Sequence, residues 1–386
     1  MKLQRTSRWH LNESRVVFFS PEHEPPSCGC WYRGSVFTRI SYNSRWMIKV
    51  TALSGNRYDP ASRFRIRQFI RPLAQFGIKV TEHYLPVTRY RRQPLASLAM
   101  LWRLPSIAAS RRAQITWFRR ELIPERFTLE RFTGGRRIFD VDDAIWLLSS
   151  SGFSEKIVAR CDGVIAGNYW LAEHYQKMGK QVWIVPTSVD TEVWKPLASS
   201  EAQTDSLRHG PWIIGWIGTN SNLHFLEAIQ EPLAQFLGEH KDARLRVVCD
   251  RRPALKRIPS RSWEFVRWSL RRELESVQTM NVGLMPLADS EWARGKCGFK
   301  MLTYMAVGLP VVVSPVGVNK AILEREELGL PAKTADDWHA ALLRLWNDRE
   351  LGRRMGRAGR KVVEQHYSVK ANVGKLAAIF SEVALK

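Results

Sequence analysis

The chain has 386 residues, of which 45% are hydrophobic and 25% charged, the proportions of an ordinary globular protein rather than of a disordered polymer. That length suits two domains with separate cores, and no stretch approaches the run of about 18 apolar residues that spans a bilayer. The charge is skewed: 59 Lys and Arg against 37 Asp and Glu give a net +22, which calls for an anionic partner or surface.

The excess concentrates in residues 47–190, with 23 basic against 12 acidic side chains. Arg89, Arg91, Arg92, Arg103, Arg111, Arg112, Arg119, Arg120, Arg126, Arg131, Arg136 and Arg137 crowd one stretch together with Trp102, Trp117 and Phe118. Such a mixture suits an anionic membrane face, where each nearby basic residue contributes about 1 kcal/mol. Nucleic acid would accept the same composition, and a solvated basic face needs no partner at all. We expect the anionic membrane surface, not nucleic acid. The five cysteines are scattered, without CxxC or Cys/His zinc spacing. The nine histidines form neither HxH nor HExxH. No metal is expected, and the chain reads as reduced and cytoplasmic, peripheral at a membrane, with no secretory signal at its start.

Residues 1–46 show no sustained period, and the text changes at Met47. We therefore expect 1–46 to be disordered, or an upstream extension of a chain that begins at Met47. Met47–Gly55 reads as a buried first strand entering a glycine turn, the opening of a doubly wound domain. Ser62–Phe76 has helical spacing and stops at Gly77. Strands follow at Ile78–Val80, Gln114–Phe118, Arg137–Asp140, Gly163–Ala166 and Gln181–Val185, with a helix at Tyr169–Met178. Pro186–Pro196 and the Ser/Ala/Gln-rich 197–210 read as a linker. A second alternation predicts strands at Trp212–Ile217, Leu245–Cys249, Trp263–Trp268, Val282–Leu287 and Pro310–Ser314. Helices are predicted at Leu223–Leu237, Arg271–Met280, Phe299–Val307, Asp336–Trp346, Glu350–Gln365 and Lys370–Leu385. The fold class is α/β: two Rossmann-like domains, 47–190 and 191–369, facing each other across a cleft where doubly wound folds bind ligands.

The most informative stretch runs from Arg294 to Ser314. A loop with Gly295 and Gly298 enters a helix whose first turn exposes N–H groups, so an anion is favoured by donors and dipole together. Lys296 and Lys300, one turn apart, add point charges suited to a diphosphate; a basic loop capping an ordinary helix explains them too. Arg63 and Arg65 sit at the start of the first helix, against the dipole preference. They are expected to reach the same anion, unless surface pairing with Asp59 uses them. Asp140, Asp142 and Asp143 follow a strand and should face the cleft. Asp142 or Asp143 would position the acceptor or act as base; helix capping and metal binding are the other readings. Glu121 is a comparable candidate, unless Arg119 or Arg120 pairs with it. His224 and Trp216, near the Gly218 loop, and Trp146 lie close to the proposed site.

The run KCGFKMLTYMAVGLPVVVSPVG, the Ile213–Gly218 strand and loop, Val185–Asp190 and Cys161–Asn168 together resemble the family-four glycosyltransferases of the GT-B fold. Asp59–Arg65 and Asp140–Trp146 resemble a bacterial subset that builds polysaccharides or glycolipids. The resemblance spans Met47 to the C-terminus. It implies retaining transfer from a nucleotide-diphosphate sugar, bound as co-substrate by the second domain, to a glycan or lipid-linked acceptor held by the first. No metal, other cofactor or covalent nucleophile is implied. It places Gly218 and Thr219 near the donor phosphates with Lys296 and Lys300 as compensating charges, and counts Asn220 and Gly295 among the donor-binding residues. The family carries a glutamate pair whose positions here read Gly295 and Thr303, leaving the ribose grip to the Thr303 hydroxyl, Glu291 or Asp289. It also implies that the last helix, 370–385, packs back on the first domain. A nucleotide-sugar epimerase of the same architecture, and a binding or scaffold protein without activity, are the alternatives.

Overall fold

The computed structural model describes residues 47–85, 93–123, 125, 127–197 and 210–386, the side chains of 93–100 excepted. The expectations for 1–46, for Arg89, Arg91, Arg92 and Arg126, and for residues 198–209 of the linker lie outside the described residues. The first half forms a parallel sheet of β1 Ile48–Asn56, β2 Ile78–Leu85, β3 Ile115–Arg119, β4 Arg136–Val141, β5 Gly163–Ala166 and β6 Gln181–Ile184, in the order β2-β1-β3-β4-β5-β6. The second half forms another from β7 Trp212–Gly218, β8 Ala243–Cys249, β9 Trp263–Arg267, β10 Val282–Met285, β11 Val311–Val313 and β12 Gly329–Pro331, in the order β12-β11-β10-β7-β8-β9 and again wholly parallel. Helices cover both faces of such sheets, which is why strands like Val311–Val313 are unbroken apolar runs. Counted from its own first strand, the second sheet runs 3-2-1-4-5-6, the dinucleotide-binding order. Its direction of winding reverses between β7 and β10, and that of the first sheet between β1 and β3.

In the first half the helices are α1 Pro60–Arg65, α2 Ile70–Ala74, α3 Gln93–Ser110, α4 Phe153–Val158 and α5 Tyr169–Gln176. Asp59 caps α1 by accepting from Ser62 N at 3.1 Å, with Pro60 in the first turn. The continuous helix expected over 62–76 is broken: a 3₁₀ turn at Arg67–Phe69 separates α1 from α2, and Pro72 has no N–H to return to the Gln68 carbonyl. In the second half α6 Leu223–Glu227 and α7 Gln230–Glu239 divide the predicted 223–237 helix for the same reason, since Pro232 has no N–H for the Ala228 carbonyl. Then come α8 Glu273–Gln278, α9 Glu291–Arg294, α10 Phe299–Ala306, α11 Val318–Leu323, α12 Ala335–Asn347 and α13 Arg349–Val362. The eighteen-residue α3 is absent from the expected elements.

The last helix, α14 Val369–Leu385, buries Val373, Leu376 and Phe380 among Ile66, Phe69 and Trp117 of the first half. Phe380 meets Trp117 edge-on, their centroids 5.1 Å apart. The chain thus passes between the halves twice, and the two crossings are bonded to each other: Val189 N donates to Tyr367 O at 2.8 Å and Val369 N to Val189 O at 3.1 Å.

Candidate active site

At the carboxyl end of the first sheet, ionic groups are largely consumed by one another. Arg65 Nε and Nη2 donate to Asp140 Oδ1 and Oδ2 at 2.8 and 3.0 Å, and its Nη1 donates to Val185 O at 2.6 Å. Trp117 Nε1 donates to the same carboxylate at 3.3 Å. Burial disfavours the Arg65 charge, but the attraction of Asp140 outweighs it and holds the guanidinium above its ordinary pKa. This corrects two expectations. Arg65 does not reach a donor diphosphate, and Asp140 does not face the cleft: it lies beneath α1, where the two form a buried pair. Glu121 is likewise committed, its carboxylate accepting from Arg120 Nη2 at 3.2 Å while only 4% exposed. The pairing admitted in the sequence explains it, and it is not a free base. Arg119 Nη2 holds Asp142 Oδ1 at 2.7 Å, and the Nε and Nη1 of Arg119 are buried without partners.

Asp143 differs from these. Burial and the neighbouring Asp142 raise its pKa, while Lys296 opposes them. Its Oδ1 lies 3.9 Å from Lys296 Nζ, across the gap between the halves. Of the three carboxylates singled out as catalytic, Asp143 is the one paired with a group of the opposite half.

On the second half, β7 ends in the turn Gly218–Asn220 at the winding reversal. A Cβ on Gly218 would lie 2.6 Å from Trp216 Cη2 and 2.7 Å from Lys300 Cε, so the lysine stem packs directly on the bare backbone. Asn220 N and Nδ2 donate to Asp250 Oδ1 and Oδ2 at 2.8 and 3.0 Å, tying the turn to the end of β8. Thr219 Oγ1 accepts from Asn222 Nδ2 at 2.9 Å. Gly298, at φ 68°, turns the chain into α10, whose first N–H groups have no intrahelical acceptors. Lys300 Nζ stands 5.5 Å from the Trp216 ring centroid and makes no ion pair with a described residue. Burial first, then Lys296, pushes its pKa down to about 7, against the pull of Asp143. An anion placed beside Lys300 would meet the Gly218 turn and the start of α10, in the field of Lys296 as well.

Thr303 is a correction: its hydroxyl donates to Lys300 O at 2.8 Å inside α10 and is buried, so it cannot grip a ribose. Of the two other groups considered for that role, Asp289 accepts from Arg294 Nε at 2.8 Å on the surface, and Glu291 is exposed. Gly295 meets the other half rather than a ligand: a Cβ there would lie 2.6 Å from Ala144 Cβ and 2.9 Å from Ala144 N. Arg63 does cross the gap, but its Nη2 ends on Glu273 Oε2 at 2.7 Å, and its Nη1 is a buried donor without a partner. Trp146 stacks on His174 at 3.7 Å, and His224 is exposed beside Phe225.

Sequence reasoning missed Asn168 and Cys297. Asn168 caps α5 and also donates to Gly295 O at 3.0 Å, while Cys297 Sγ donates to Asp142 O at 3.2 Å. A Cβ on Gly167 would come within 2.3 Å of that sulfur, so residues 295–297 seat on the ends of β4 and β5. The paired small residues Gly167 and Gly295 were the available signal. Among the described residues no group of three or more His, Cys, Asp or Glu is placed to hold a metal ion, and no helix is long and apolar enough to cross a membrane.

Residues 213–348, which contain the Gly218 turn and both lysines, match the family model of glycosyl transferases group 1. By that domain the chain is a glycosyltransferase. No curated protein matches it. Solved structures of similar fold include a sucrose-phosphate synthase of Thermosynechococcus elongatus, 15% identical, covering 87% of this chain and 99% of that one with a TM-score of 0.67. Anabaena HepE in complex with UDP and glucose is 12% identical, covering 87% and 100% with a TM-score of 0.63. A protein designated a UDP-N-acetylglucosamine 2-epimerase of Listeria monocytogenes is 13% identical, covering 88% and 98% with a TM-score of 0.62. These likenesses establish the GT-B fold, which transferases and epimerases share.

Proposed function

We propose that this glycosyltransferase moves a sugar from a nucleotide-diphosphate donor, held by the second half, to a glycan or lipid-linked acceptor held by the first. The observation that carries the reading is Lys300 packed on the bare backbone of the Gly218 turn, with the Lys296 charge acting on it, at the point where the second sheet reverses its winding. The UDP bound by HepE supports a nucleotide donor of this kind. In the proposed step the acceptor oxygen bonds to the anomeric carbon as that carbon's bond to phosphate oxygen breaks. The departing diphosphate receives the hydroxyl proton, and the two ammonium groups stabilise the charge left on it, an effect stronger in the transition state than in the ground state. Asp143, beside Lys296, orients that ammonium and faces the acceptor side. Retention of anomeric configuration and independence of metal follow from the family resemblance and belong to the proposal.

The test is a panel of nucleotide sugars in a thermal-shift assay, with and without a chelator, followed by incubation of the stabilising donor with and without acceptors. A donor at a hundred times its dissociation constant should stabilise the fold by about 2.7 kcal/mol. Conversion of donor alone to an isomer would favour the epimerase. Failure of every donor to bind would remove the reading.

A further inference from the structure

Helix α3, Gln93–Ser110, turns a row of apolar side chains to solvent over its described C-terminal half. Over its last two turns the buried side chains are Arg103, Ser106, Ile107 and Ser110, three of the four polar. Arg103 Nη2 donates to Ser54 O at 2.7 Å and to Leu122 O at 3.3 Å, and both serine hydroxyls donate within the helix. The side chains directed outward are apolar: Leu101 is 62% exposed, Trp102 61% and Leu104 51%, with Pro105 and Ala108 exposed beside them. No polar residue interrupts this outer face from 101 to 108. A surface helix in water normally shows the opposite arrangement, and contiguous exposed apolar groups mark a binding surface.

The same region resolves the Arg-rich stretch. Trp117 and Phe118 are fully buried in β3, and Arg103 and Arg119 are buried too, so that stretch is not one continuous basic face. What reaches solvent includes the apolar row on α3, exposed Arg111 and Arg112 immediately after it, and, further along the chain, exposed Arg131 and Arg136. In the sequence Arg91 and Arg92 stand directly before the helix. An apolar strip with cationic residues at its end complements a bilayer whose surface is anionic: acyl chains take the Leu and Trp side chains while lipid phosphates take the guanidinium groups.

We infer that the exposed face of α3 is the surface by which this protein lies on an anionic membrane, Leu101, Trp102 and Leu104 entering the interface and Arg111 and Arg112 meeting the headgroups. The inference is independent of the transfer reaction, because it is read from binding to vesicles without donor or acceptor. The experiment is co-sedimentation of the full chain with vesicles of phosphatidylcholine alone and with 30% phosphatidylglycerol, about physiological salt, beside the triple variant Leu101→Gln/Trp102→Gln/Leu104→Gln and the pair Arg111→Gln/Arg112→Gln. The wild type should bind the anionic vesicles at least tenfold more tightly than the neutral ones. The triple variant should lose tenfold or more of that binding with its far-UV spectrum and melting temperature kept. The arginine pair should lose about fivefold per charge removed, a loss that added salt reproduces in the wild type. Undiminished vesicle binding by the folded triple variant overturns the inference. So does a wild-type dimer, seen by sedimentation velocity, that the triple variant abolishes while vesicle binding persists, since the strip would then cover a second copy of the chain.

Discussion

The carboxyl ends of the two sheets face the same gap but treat charge in opposite ways. On the first, arginines and carboxylates neutralise each other in place: Arg65 with Asp140, Arg119 with Asp142, Arg120 with Glu121. On the second, Lys300 has no ion-pair partner among the described residues, and Lys296 has only Asp143 at 3.9 Å. Both ends carry many charged side chains, so composition does not distinguish them; pairing does. A charge already matched inside the fold serves stability. One left unmatched beside bare backbone is available to a ligand.

The sharpest way to break this contrast is to unpair the first sheet. Asp140→Ala leaves the Arg65 guanidinium buried without its counter-charge and should lower stability by about 3–5 kcal/mol, read by chemical denaturation, with donor affinity of the surviving folded protein unchanged. If instead donor binding were lost while stability held, the matched pair would be part of the donor site after all. On the second sheet, Lys296→Ala and Lys300→Ala should each reduce turnover by roughly 10²–10³-fold, with a melting temperature near that of the wild type; unaltered turnover in both would remove the contrast. Gly295→Ala forces a methyl into Ala144 across the gap. It should cost about 1–3 kcal/mol and slow transfer while leaving UDP affinity, a property of the second half alone, within about twofold.

The smallest effect concerns pH. The pKa of Lys300 is pushed down to about 7 without a ligand, and an anion raises it again. Donor binding should therefore take up a proton above pH 7, visible as a buffer-dependent calorimetric enthalpy, and affinity should fall as pH rises from 7, by at most about tenfold per unit. Without ligand the sign for stability is the reverse. Between about 7 and 10.5 the unfolded lysine holds the extra proton, so this group makes the fold more stable as pH rises through that range. A pH-independent affinity for UDP would place Lys300 outside the donor site.

Much of the architecture was legible because a parallel sheet buries both faces of every strand, and runs such as Val311–Val313 announce themselves without a partner in view. Helix continuity was less so, since Pro72 and Pro232 each remove one donor and break a spacing that the apolar pattern alone would continue. Helix α3 was missed because over 101–110 its exposed side chains are apolar and three of its four buried ones, Arg103, Ser106 and Ser110, are polar, so the pattern that normally marks a helix on a sheet is blurred. Within the site, the lysine pair could be read from local spacing. The fate of Arg65 could not, because Asp140 is 75 positions away in the chain and only the fold brings them together. Thr303 stands where the resembled family carries a glutamate, and its burial along α10 is a property of the helix's rotation, invisible in that resemblance.

The two crossings of the chain between the halves, hydrogen-bonded side by side at Val189, Tyr367 and Val369, have a mechanical consequence. Two segments tied by such a bridge can flex together but resist being sheared past one another. An opening that kept both of these hydrogen bonds would bend about the line through that bridge, bringing Lys296 back opposite Asp143 as the jaws meet.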